Sequence, residues 1–156
     1  KVYLVDCDLR RPTLHQLFGV SNEVGLTNMI RDETLRDSPP LQETKAPGLW
    51  LIPSGPLPPN PSELLGSKRM EEIIARLKGQ ADLVLFDAPP SNIVTDAAVL
   101  ASKVDGVLLV FSAGRTKREH AQRAKALMEK VNARLVGVVL NNVRTDTQLQ
   151  GYYAVE

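Results

Sequence analysis

The sequence is short of several things, and each shortage closes off a class of function. It has one cysteine, Cys7, so no disulfide can form within the chain, as befits a reducing compartment. Aromatic residues make up 4%, too few for the stacking platforms of single-strand nucleic-acid binders. The two histidines, His15 and His120, are far apart and lack metal-ligand spacing, so both read as non-catalytic. Neither sign of charge dominates; the formal net charge of +1 gives no electrostatic reason to expect a nucleic-acid partner. No apolar run approaches the roughly 20 residues that span a bilayer. No signal-peptide pattern opens the chain, although an incomplete N-terminus would hide one. There is also no start methionine: the chain begins in what reads as mid-strand, at Lys1.

What remains is an ordinary globular composition, 43% hydrophobic and 24% charged, in 156 residues, which suits one domain. Short β-rich runs occur at Val2 to Val5, Leu49 to Ile52, Leu83 to Phe86, Val107 to Phe111 and Leu135 to Leu140. They are continuous and apolar, as in parallel strands covered on both faces. Helical patterns lie between them. Met70, Ile73, Ile74 and Leu77 follow i, i+3, i+4, i+7 spacing, and Ser62 is placed to cap that helix. Ala121, Ala124, Met128 and Val131 form a second stripe, and a shorter helix is expected from Asp96 to Ser102. Segment 31–47 reads as a surface excursion. Strand–helix alternation with short connections predicts an α/β fold, three-layered and doubly wound on a mostly parallel sheet.

In such sheets ligands bind beyond the carboxyl ends of the strands. The polar residues of this chain gather there: Asp6 and Asp8 after the first run, Gly55 after the second, Asp87 after the third, Ser112 and Gly114 after the fourth, Asn141 and Asn142 after the fifth. Asp6 and Asp8, two apart, face one side if the backbone stays extended. Two carboxylates about 6 Å apart repel by roughly 3 kcal/mol at an effective dielectric of roughly 20. A divalent cation or a lysine relieves that, and Mg²⁺ is the natural choice because it takes oxygen ligands and commonly brings phosphates. The competing reading is a surface ion network of Asp8 with Arg10 or Arg11. "LVLFDAPP" has the form of a Walker B element, an apolar strand ending in the acid that holds Mg²⁺. Cys7, between two acids, reads as a small buried strand residue, because neighbouring carboxylates oppose a reactive thiolate. Gly114-Arg115-Thr116, between a strand and a basic helix, reads either as a contact to nucleotide or a neighbouring subunit, or as a plain turn and cap.

The strings "VYLVDCDLRRP", "GL" at 25–26, "LIPSGPLPPNPSELLGS", "DLVLFDAPPSNIVTDAAVLASKVDGVLLV", "GRTKRE" and "GVVLNNV" occur in the order seen in bacterial tyrosine kinases. These are the autokinases of capsule and exopolysaccharide synthesis, in the deviant-Walker P-loop superfamily with MinD and ParA. The resemblance covers nearly the whole chain, and "GPLPPNPSELLGS" is what favours the kinase branch. It implies ATP and Mg²⁺ as cofactors, with Asp6 and Asp8 as the Walker A′ acids and Asp87 as the Walker B acid. It implies a nucleotide contact from Asn141, and Arg115 is the accompanying candidate. It places Ser67 and Arg69 in a subunit-contact region and Tyr152 and Tyr153 in the C-terminal cluster phosphorylated in trans. Residues 1–147 then form a partial kinase domain and 148–156 a tyrosine-bearing tail.

The implied partners are further copies in a ring and a membrane-anchored polysaccharide co-polymerase, fused or separate. The implied location is cytoplasmic, at the inner face of the plasma membrane. One part of the pattern is missing. The Walker A string G-x-x-x-x-G-K-[ST] occurs nowhere in the chain. In the family it lies on the strand and helix before Walker A′, so the sequence is expected to be a fragment lacking its P-loop unit and inactive alone. Alternatives are a MinD/ParA-like ATPase acting as a nucleotide-switched dimer, and a non-catalytic regulatory paralogue.

Overall fold

A computed structural model describes residues 1–91 and 93–143, the side chain of residue 36 excepted. The chain divides into two compact units, Lys1–Val104 and Asp105–Glu156.

The first unit is built around β1 (Val2–Asp6). It lies between β3 (Leu49–Ile52) and β4 (Leu83–Asp87), parallel to both. A two-residue strand, β2 (Gln42–Glu43), adds antiparallel to β3, giving the order β2-β3-β1-β4. The helices in this unit are α1 (Leu14–Phe18), α2 (Leu26–Arg31), α3 (Thr34–Asp37), α4 (Pro61–Gly66), α5 (Lys68–Lys78) and α6 (Asp96–Ala101). Segment 31–47, read as a surface excursion, thus contains a short helix and an edge strand.

The core forms where strand alternation meets helical stripes. Tyr3, Val5 and Cys7 alternate along β1 and its extension and are fully buried. Against them pack Met70, Ile73, Ile74 and Leu77 of α5, with Leu26, Met29 and Ile30 of α2, Leu65 of α4 and Leu100 of α6. Each such aliphatic side chain contributes roughly 1.5–3 kcal/mol by leaving water, and that burial, more than helix propensity, holds α5 in place.

The cap of α5 differs from expectation. Ser62 does not start this helix. The helical segment breaks at Ser67, where ψ is 155°. Ser67 becomes the N-cap of α5, its hydroxyl accepting the Met70 N–H at 3.2 Å. Gly66 is a poor helix residue and serine a good cap, so the chain divides there. Pro61 occupies the first turn of α4, with Asn60 before it at the N-cap position.

A backbone crossing secures the end of β3. The N–H groups of Leu26 and Thr27 donate to the carbonyls of Pro53 and Ser54, at 2.8 and 2.9 Å. A Cβ at residue 25 would lie 2.1 Å from the Pro53 oxygen, so only glycine fits where the start of α2 touches β3. The side chain of Asn22 brackets Gly55, accepting its N–H at 2.9 Å and donating to its carbonyl at 3.3 Å.

The second unit is a β-α-β element: β5 (Val107–Ser112), α7 (Arg118–Lys130) and β6 (Leu135–Asn141), the strands parallel and paired to Ser112 opposite Asn141. Ala124 and Met128 of α7 are buried. Cover on both strand faces, expected from the apolar runs, is not what the described residues provide. Leu83 and Leu85 on β4 and Leu108, Val110, Val136, Val138 and Leu140 on β5 and β6 are about half exposed or more.

Candidate functional site

The carboxyl ends of β1 and β4 lie side by side. Val5 pairs with Phe86 and Asp6 with Asp87, and residues in register on parallel neighbours project to the same face. Asp6 and Asp87 therefore stand together. The Asp6 side chain is fully buried, and its carboxylate accepts the N–H of Asp8 at 3.2 Å and of Leu14 at 3.3 Å.

Asp8 arrives by a different route from the one its spacing suggests. The strand stops at Asp6, so strand alternation does not orient residue 8. A turn does. One oxygen of the Asp8 carboxylate accepts the N–H groups of Arg10 at 3.1 Å and Arg11 at 2.9 Å, the local side chain-to-backbone pattern that aspartate favours in turns. Of the surface network expected for Asp8 with Arg10 or Arg11, the Arg10 guanidinium pairs directly with Asp96, and the Asp8 charge acts on it from further off.

The three acids act on one another. Burial pushes the Asp6 carboxyl up to about 6; the Leu14 and Asp8 N–H groups oppose this, and the charges of Asp87 and Asp8 add to it. Asp87 is also raised, first by partial desolvation and then by Asp8. Cys7, fully buried between them, has its thiol pushed well up by burial and then by Asp6 and Asp87, which makes it an unreactive packing residue. Among the described residues no group of three or more His, Cys, Asp or Glu side chains is gathered tightly enough to hold a metal ion. The mutual repulsion of the acids nonetheless suits a cation held as Mg²⁺ often is, by one or two carboxylates with water and substrate phosphates completing its shell.

One functional candidate escaped sequence reasoning. Asp96, the first residue of α6, has a fully buried side chain and forms a two-pronged pair with Arg10, Nε to Oδ2 at 2.7 Å and Nη2 to Oδ1 at 3.0 Å. The Ser62 hydroxyl, on α4, also donates to Asp96. The Arg10 hydrogen bond is the main reason the Asp96 carboxyl lies below its usual range, with burial opposing and Ser62 assisting. No sequence spacing links positions 10, 62 and 96; "TDAAVL" signals only a helix start.

The other candidates belong to other elements. Ser67 donates to the Leu64 carbonyl at 2.7 Å while capping α5. Arg69 donates to the carbonyls of Ile30 and Arg31 at 3.0 and 3.3 Å, closing the end of α2. Both line a shallow hollow of about 300 Å³ with Asn60, Glu63 and Leu64. In the second unit, Asn141 ends β6 and is exposed, its side-chain oxygen accepting the Asn142 N–H at 2.8 Å. Arg115 is exposed in the turn after β5, its N–H donating to Ser112 at 3.2 Å. Tyr152 and Tyr153 lie outside the described residues.

No protein-family model matches the chain. Individual proteins do. Tyrosine-protein kinase YwqD of Bacillus subtilis is 38% identical over 157 residues, which cover 100% of this chain and 66% of that protein. A putative tyrosine-protein kinase, CapB of Staphylococcus aureus, is 37% identical over 153 residues, covering 98% and 67%. The chain thus spans about two thirds of the length of these relatives. Among solved structures, the kinase domain of Escherichia coli tyrosine kinase ETK superposes with a TM-score of 0.86 at 36% identity, over 94% of this chain and 57% of that one. A ParA family ATPase from Chlorobium tepidum reaches 0.70 at 18% identity, over 97% and 65%, a likeness of fold alone. The parallel α/β framework of this chain is therefore shared with a ParA family ATPase, and its sequence, 37% identical to CapB with 98% of this chain and 67% of that protein covered, belongs to the bacterial tyrosine-protein kinase family.

Proposed function

We propose that the complete protein is an ATP-dependent protein-tyrosine autokinase serving capsular or exopolysaccharide synthesis and export. The observation that carries this reading is the register of Asp6 against Asp87 within the field of Asp8. It makes an anionic edge whose charge is costly without a cation. In the proposed reaction the phenolic oxygen of a neighbouring subunit's tyrosine forms a bond to the γ-phosphorus of ATP, the bond to the ADP oxygen breaks, and the phenolic proton leaves. Asp6, fully buried beside Asp87, is assigned to orienting the metal and the attacking tyrosine hydroxyl. Asp8 and Asp87 are assigned to the magnesium and its waters, and Mg²⁺ supplies charge neutralisation on the transferring phosphoryl.

Asn141 and Arg115 are assigned to the nucleotide, Ser67 and Arg69 to the subunit contact, and Tyr152 and Tyr153 to the accepting tail. The phosphate cradle of a Walker A loop is not among these residues, so the 156-residue chain by itself is expected to be inactive. The partner assigned to the complete protein is a membrane-anchored polysaccharide co-polymerase, fused or separate, which holds the domain at the inner face of the membrane. Phosphorylation would add about −1.5 to −2 charges per tyrosine and loosen a ring of like subunits.

The test is phosphotyrosine on the full-length protein after incubation with Mg-ATP, lost in Asp6→Asn and Asp87→Asn. ATP hydrolysis without phosphotyrosine would instead identify a ParA-like switch ATPase.

A further inference from the structure

The Arg10–Asp96 pair is unlike the other ion pairs described. Those of Lys1 with Asp82, Arg76 with Asp37, Lys103 with Glu71 and Lys125 with Glu129 each include an acid that is more than half exposed. Such pairs contribute little. Asp96 has no exposure at all, and three donors converge on it: two from Arg10 and one from Ser62. A buried carboxylate is tolerated only when its donors are held in place, so the position of Arg10 is dictated by Asp96.

Arg10 is also part of the turn that holds Asp8. Its backbone N–H and that of Arg11 are the two donors to the Asp8 carboxylate. The side chain of residue 10 is thus anchored on α6 while its main chain grips an acid of the site. The same carboxylate of Asp96 is reached from α4 by Ser62. Fastening α6 to the fold would need only one charged contact. The two-pronged geometry additionally restricts rotation of Arg10, and with it the turn of residues 8–11.

We propose that Asp96 is a positioning residue for Asp8, acting through Arg10, with Ser62 completing the clamp from α4. The proposal rests on the reading of Asp8 as an acid of a magnesium–nucleotide site, but its structural half stands apart from that reading and is tested apart from it.

The first arm measures residue-resolved amide hydrogen exchange by NMR on the full-length protein, without nucleotide. Asp96→Asn removes the charge and keeps the shape. Exchange at the Arg10 and Arg11 N–H groups is expected to rise about tenfold, with Leu4 and Val5 of β1 unchanged. Arg10→Lys keeps the charge but loses the fork, and a rise of about threefold at the same two amides is expected. It also serves as the measurement if Asp96→Asn does not fold. Unchanged Arg10 and Arg11 exchange, or acceleration confined to Val99 and Leu100 of α6, overturns the clamp and leaves a simple helix anchor.

The second arm uses the full-length protein. Asp96→Asn is expected to raise the Mg²⁺ concentration for half-maximal autophosphorylation about tenfold with the KM for ATP unchanged, because only the metal-side acid is loosened. An equal rise in both quantities, or in neither, overturns the positioning role. Absence of phosphotyrosine in the unsubstituted protein sinks the kinase reading and leaves the exchange result to decide the clamp.

Discussion

The two units use the same kind of strand and end in different circumstances. In the first, Tyr3, Val5, Leu51 and Ile52 are essentially inaccessible, sealed beneath α2, α4 and α5 or by neighbouring segments. In the second, Val110 and Val138 are each 61% exposed, and of α7 Ala124 and Met128 are the buried residues. Both stretches are apolar and β-rich, so composition does not separate them. Cover does: a parallel strand is stabilised by what packs on its faces, and a two-stranded sheet is marginal without more. The face of β1 that carries Tyr3 and Val5 is sealed and its end presents Asp6 opposite Asp87, while the β4 strand beside it still leaves Leu83 and Leu85 about half exposed.

The largest test of this contrast is Ile73→Ala. It removes a fully buried side chain from the α5 stripe and should lower unfolding free energy by about 2–5 kcal/mol in urea titrations. A loss below 1 kcal/mol would mean the first unit is no better packed than the second.

The next concerns the asymmetry of the Arg10–Asp96 pair. Arg10→Ala leaves a buried carboxylate without its main partner, whereas Asp96→Asn leaves a guanidinium that is 42% exposed and can turn to water. The arginine substitution should lower the urea midpoint more than the aspartate substitution does, because only the first leaves a buried charge unpaired. Equal midpoint shifts would show that Asp96 finds solvent when Arg10 is gone.

A smaller effect, opposite in sign, is expected at Asp6. Its carboxyl is raised from 3.8 to about 6 in the fold. The folded chain therefore holds the proton more tightly than the unfolded one. Its favourable contribution is complete below pH 3.8 and disappears as pH rises through 6, leaving the buried charge as a cost at neutral pH. In EDTA, Asp6→Asn should accordingly stabilise the chain by about 1–2 kcal/mol at pH 7.5, and the difference should close near pH 4. Thermal unfolding across that range checks it; a gap that widens in acid would reverse the sign. The smallest effect belongs to the second unit. Val138→Thr, at an exposed strand position, should change stability by no more than about 0.5 kcal/mol.

Legibility in the sequence followed locality. The four-residue stripe of α5 predicted its buried face because helical spacing alone selects that face, and all four residues are in the core. The acids at the ends of β1 and β4 were legible because an apolar run that stops at aspartate marks its own end. Errors arose where two local signals competed. Ser62 looked like a cap, but Ser67, behind Gly66, took that role. Asp8 looked like a strand residue, but its carboxylate was worth more to the turn amides of Arg10 and Arg11 than to an extended path. Asp96 went unread because its partners are 34 and 86 positions away.

The sequence by itself determined the alternation of strands and helices, the apolar faces and the family, since each depends on neighbours within a few turns of chain or on whole strings of residues. Only the tertiary structure decided which strand lies beside β1, which acid is desolvated and what the Arg10 guanidinium grips. Those outcomes are set by burial and by hydrogen bonds between distant segments, and a local pattern carries no record of either.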